Sequence, residues 1–154
     1  MKWSNLFARK NWTNPVTNKG ARINQGWDIS LSHNDGEELY AFSSQNGEHA
    51  IFLFTVVNAQ VEGITDIVKD VDDSFFQRVA GRVTDGKGWD FSQLNGVNVA
   101  EIKGKGVKNG HNTAIRAWIS GGYLWESMTT SRAADAINAD TAPVLNAVEM
   151  TTIP

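Results

Sequence analysis

Between Trp27 and Val57 the chain alternates so regularly that few folds can accommodate it. Trp27, Ile29 and Leu31 interleave with Asp28, Ser30 and Ser32, the period of two that gives a strand one buried and one wet face. His33-Asn34-Asp35-Gly36 follows, and Asp-Gly accepts the positive φ that tight hairpins require. Glu38 to Ser43 reads as the return strand. Asn46-Gly47 repeats the hairpin signal and leads into Ala50–Val57, a β-branched and aromatic run suited to a central strand apolar on both faces. The segment therefore reads as a three-strand antiparallel meander.

Farther along, Val61, Ile64, Ile67, Val68, Val71, Phe75 and Val79 recur at the three-and-four spacing of an amphipathic helix. Asp72 is a possible break, capping a second helix from Asp73. Val97 and Val99 indicate another strand. Thr113–Ser120, Gly121-Gly122 and Tyr123–Thr129 form a further hairpin carrying Trp118 and Trp125. Ser131 is placed to cap a short helix through Asn138, and Pro143 sits in the first turn of another. The expected fold class is α+β: an antiparallel meander of about five to six strands, one long or broken amphipathic helix, and short C-terminal helices.

Composition narrows the function classes. With 154 residues, 41% hydrophobic and 20% charged, the chain has core material for one domain. The absence of cysteine excludes disulfides, thiolate zinc sites and cysteine nucleophiles. The longest apolar run, Ala50–Val57, is too short for a membrane-spanning helix. Met1-Lys2-Trp3-Ser4-Asn5 lacks a signal-like apolar stretch. Cytoplasmic synthesis without export is the expectation, with incorporation into a virion compatible with it.

Charge is distributed in blocks. Residues 1–25 carry Lys2, Arg9, Lys10, Lys19 and Arg22 and no acid, whereas residues 26–50 carry Asp28, Asp35, Glu37, Glu38 and Glu48 and no Lys or Arg. The expected organisation is a basic N-terminal arm over 1–25 and a single α+β domain over 26–154. Six tryptophans are present, and two of them, Trp3 and Trp12, lie in the arm with too few apolar neighbours for a core of its own. Trp3, Phe7, Arg9, Lys10 and Trp12 are therefore the candidate partner-binding residues, aromatic anchors flanked by charge.

Motifs for chemistry are sparse. His33, His49 and His111 show no metal-binding spacing, Asp70, Asp72 and Asp73 do not share one helix face, and Asp85–Asp90 lacks the alternating ligands of a calcium loop. No metal, cofactor or catalytic residue is assigned. Gly104–Gly110 has the wrong order for a phosphate loop and reads as a flexible hairpin loop. Lys103, Lys105, Lys108 and Arg116 make a possible anion-binding patch. No Gly-x-Ser-x-Gly elbow occurs.

The expected function is a non-enzymatic structural or assembly protein acting through protein–protein contacts. A homo-oligomer or a subunit of a larger assembly, such as a phage virion decoration or tail component, fits this class. The alternatives are a small intracellular inhibitor or immunity-type protein using its acidic surface, a nucleic-acid-binding module using the basic patch, and a small hydrolase using His49 or His111 with a distant carboxylate.

Overall fold

The computed structural model describes residues 9–34, 37–56, 83–84, 89–106 and 110–154. Their order is β1 (Arg9–Thr13), β2 (Gly20–Asn24), β3 (Trp27–Asn34), β4 (Glu37–Ser44), β5 (His49–Val56), β6 (Val83–Thr84), β7 (Asp90–Leu94), β8 (Val97–Gly106), β9 (Asn112–Ser120), β10 (Tyr123–Ser131) and α1 (Thr141–Met150). β1 and β2 form a two-stranded sheet. The other eight strands form one antiparallel sheet in the order β3-β4-β5-β10-β9-β8-β6, with β7 also paired to β8.

The expected α+β class, with its five to six strands and short C-terminal helices, is thereby corrected. The described residues are mostly β, with ten strands in two antiparallel sheets and the single helix α1 near the C-terminus. The expected long helix over residues 61–79 lies outside the described residues. A helix from Ser131 does not form, because the Ser131 hydroxyl is held by His49 and by the Ala133 amide, which bends the chain instead. The glycine stretch is likewise not wholly a loop. Gly104 to Gly106 continue β8, pairing with β9 and β6.

Turn chemistry sets the registers. Asn95 and Gly96 both take positive φ, 50° and 86°, which is what a two-residue hairpin turn between β7 and β8 demands. Gly121 and Gly122, at 60° and 81°, do the same between β9 and β10, so that Trp118 stands opposite Trp125. β5 is flanked by β4 and β10 and therefore lies inside the sheet, as its apolar faces demand.

On one face of the sheet lies the main core. Trp27, Tyr40, Phe42, Ile51, Leu53, Val99, Trp118 and Trp125 meet Val144, Leu145 and Val148 of α1 and Ile23 of β2. The helix presents this stripe by its three-and-four spacing. Pro143 falls in its first turn, where a missing N–H costs nothing. Its leading amides are served by Asn138, whose Oδ1 accepts from the Asp140 and Thr141 N–H groups. No helix among the described residues is long and apolar enough to cross a membrane.

Candidate functional site: polar clusters between the last helix and the sheet

Two polar clusters lie where α1 and its approach meet the sheet, and each unites residues far apart in sequence. In the first, Arg116 projects from β9 between two carboxylates. Its Nε is 2.6 Å from Glu101 Oε2 on β8, and its Nη1 is 2.6 Å from Glu149 Oε1 on α1. Glu101 and Arg116 are direct cross-strand partners, so the sheet register itself places that pair. Glu149 is fully buried. Burial pushes its carboxyl up to about 7, against the opposing pull of Arg116 and of Ser127, and Glu101 adds to the upward push. The helix is thus pinned to the sheet by a three-residue ionic clasp.

The second cluster brings together a serine, a histidine and an aspartate. His49 Nδ1 lies 2.8 Å from Ser131 Oγ, and its Nε2 lies 3.3 Å from Asp140 Oδ2 at the start of α1. His49 and Ser131 are register partners between β5 and β10. The Trp27 ring stacks on the imidazole at 6.2 Å. Ser131 Oγ accepts from the Ala133 N–H at 3.0 Å and from Asn138 Nδ2 at 3.3 Å. Serine thus sits on Nδ1 and the carboxylate on Nε2. A hydrolytic triad has the opposite arrangement, with serine on Nε2 and the carboxylate on Nδ1. Ser131 is also 0% exposed, so no substrate reaches its oxygen. The cluster ties β5, β10 and the helix start together.

A third set of bonds anchors the end of the chain. Trp118 Nε1 donates to Thr152 Oγ1 at 2.8 Å, Asn14 Nδ2 to Thr151 Oγ1 at 3.2 Å, and Thr17 Oγ1 to the Thr151 carbonyl at 2.6 Å. Lys19 Nζ caps the Ile153 carbonyl. The β1–β2 hairpin and the residues after α1 hold each other in place.

The structure places the sequence-derived candidates as follows. Trp12 is half-buried and packs edge-on against Tyr40 and Phe42 at 5.3 and 5.1 Å. Lys10 Nζ donates to the Trp27 carbonyl at 2.7 Å and pairs with Asp28 at 3.3 Å. Hydrogen bonds from Gln45 and Lys10 hold the Asp28 carboxyl below its ordinary range. Arg9 begins β1, opposite Asn24. Trp3, Phe7 and Lys108 lie outside the described residues. Lys103 is exposed, 3.5 Å from Glu101, and borders a cavity of about 150 Å³ with Asn112, Thr113 and Asp135. Lys105 is exposed on the same strand, whereas Arg116 is held in the ionic clasp. Lys103 and Arg116 thus meet at the same carboxylate, Glu101.

Local patterning does not point to the Glu101–Arg116–Glu149 or His49–Ser131–Asp140 groupings, whose members are separated by up to 91 residues. The cross-strand pairs among them follow from register, which local patterning does not reveal. Asn95-Gly96 was the one available signal for β7.

No family model matches the chain, and no curated protein matches it. Among solved structures it is similar to the solution structure of cyanobacterial PsbP (CyanoP) from Synechocystis sp. PCC 6803, with a TM-score of 0.60 and 13% sequence identity over 94% of this chain and 91% of that one. At that identity the shared property is the fold alone.

Proposed function

We propose that this chain is a non-enzymatic binding domain that acts through protein–protein contacts as a subunit of a larger assembly. The observation carrying this reading is the contrast between sealed polar clusters and exposed apolar side chains. Ser131 and Glu149 are completely buried and spent on holding α1. Phe91 and Leu31, by contrast, are 64% and 49% exposed on strands at opposite edges of the sheet. Exposed aromatic and aliphatic anchors on a rigid sheet are what a partner surface uses. Trp3 and Phe7 belong to the same proposed surface-seeking set by composition. Nothing in the fold or the comparisons favours a virion component over other assemblies.

The test is site-specific photo-cross-linking in the cells that make the protein. A benzophenone amino acid is placed at Leu31, Phe91 or Phe7, with Ser30 and Gln45 as exposed polar controls. The reading predicts a discrete protein adduct at one or more apolar positions and none at the controls. Equal or absent adducts at all five positions would contradict it.

A further inference from the structure

Among the described residues β7 is an edge strand. It pairs with β8 on one side only among the described residues, and its residues Asp90 to Gln93 are exposed. Bare edges invite pairing, and proteins usually blunt them with lysine, proline or a covering segment. The opposite edge is guarded in this way, since Lys10 reaches over β3 to bind the Trp27 carbonyl and Asp28. β7 (Asp90-Phe91-Ser92-Gln93-Leu94) has no lysine, arginine or proline. It carries instead the most exposed large hydrophobic side chain among the described residues, Phe91.

We propose that β7 pairs antiparallel with β7 of a second copy of this chain, about a two-fold axis at Ser92, joining two eight-stranded sheets into one. The proposal rests on the protein-binding reading above and names its partner. The strand is self-complementary in this register. Phe91 of each copy stands beside Gln93 of the other on one face, and the two Phe91 rings are diagonal neighbours at about 7–8 Å, within aromatic reach. Asp90 of each copy faces Leu94 of the other. The two carboxylates then sit at opposite ends of the pair, about 13 Å apart at ~3.3 Å per residue, so like charges do not meet. A strand of five residues buries less than a standard interface of about 1,600 Å². The dimer is accordingly weak and concentration-dependent.

Ser92 supplies the test, because in this register it faces its own copy and like charges directly opposite are destabilising. The full chain is followed by sedimentation equilibrium as wild type, as Ser92→Lys, as Ser92→Glu, and as an equimolar mixture of the two variants, with circular dichroism confirming the fold. Wild type is expected to approach the mass of two chains as concentration rises. Each variant alone is expected to stay monomeric, and the mixture to recover a heterodimer. A wild type monomeric throughout, self-association unaffected by Ser92→Lys, or a mixture that fails to recover would each overturn the pairing. A monomeric wild type that still gives cross-linked adducts at the apolar positions removes the self-pairing alone and leaves the protein-binding reading standing.

Discussion

Arg116 on β9 and Glu149 on α1 approach to 2.6 Å beneath the helix, with Glu101 on the other side of the guanidinium. The contact joins the centre of the sheet to the next-to-last residue of the helix. Glu101 also meets Lys103 at 3.5 Å, whereas Glu149 is fully buried against the guanidinium, and burial favours its protonated form.

Stability is therefore expected to fall as pH rises through neutrality. The unfolded chain's Glu149 titrates near its ordinary 4.5 and the folded one at about 7, so folding binds a proton between those values. The contribution is fully present below 4.5 and is lost as pH rises through 7, amounting to about 3 kcal/mol at most. Denaturant midpoints of wild type and Glu149→Gln from pH 4 to 8 check this. The variant should lose that part of the downward slope.

Thr152→Val is expected to destabilise through an orphaned donor. Trp118 is completely buried and its indole N–H donates to the Thr152 hydroxyl. A buried donor without a partner costs about 1–3 kcal/mol. Thermal unfolding should show the loss, and Trp118→Phe combined with Thr152→Val should cost less than the two single changes added together.

Trp12→Ala is expected to lower stability by about 2 kcal/mol, since a partly buried aromatic with two edge-on ring neighbours is removed. Chemical denaturation measures this directly. The same experiment asks whether residues 9–24 fold with the sheet. A single unfolding transition reported by both Trp12-quenched fluorescence and far-ultraviolet dichroism is the expected result.

Gly96→Ala is expected to cost about 1 kcal/mol, because φ of 86° is open to glycine and strained for alanine although no atom obstructs a Cβ there. Gly26→Ala, with no such φ and equal room, serves as the control and should be nearly neutral.

The legible part of the fold was the part with one wet and one dry face. Trp27–Asn34, Glu37–Ser44 and the β9–β10 hairpin advertise themselves by alternation and turn residues. β1 and β7 do not, because their side chains are largely polar and their pairing rests on backbone bonds and on single anchors such as Trp12. Asn95-Gly96 carried the same signal as Asn46-Gly47, but the polar strand before it supplied no alternation to confirm a hairpin. The basic island at the N-terminus reads as an arm by composition. In the structure its lysines Lys10 and Lys19 are hydrogen-bond donors to the carbonyls of Trp27 and Ile153, targets that only the folded chain assembles. The candidate clusters were illegible for the same reason: Ser131 meets His49 only after β5 and β10 have paired.

The claim that the His49–Ser131–Asp140 cluster is structural meets its sharpest test in labelling with a fluorophosphonate. Ser131 is sealed and hydrogen-bonded to Ala133, Asn138 and His49, so the folded protein should remain unlabelled there, as read by mass spectrometry of its peptides. Ser131→Ala should instead lower the free energy of unfolding by about 1–3 kcal/mol, as read by chemical denaturation. Stoichiometric labelling of Ser131 in the native protein, abolished by His49→Ala, would contradict the claim.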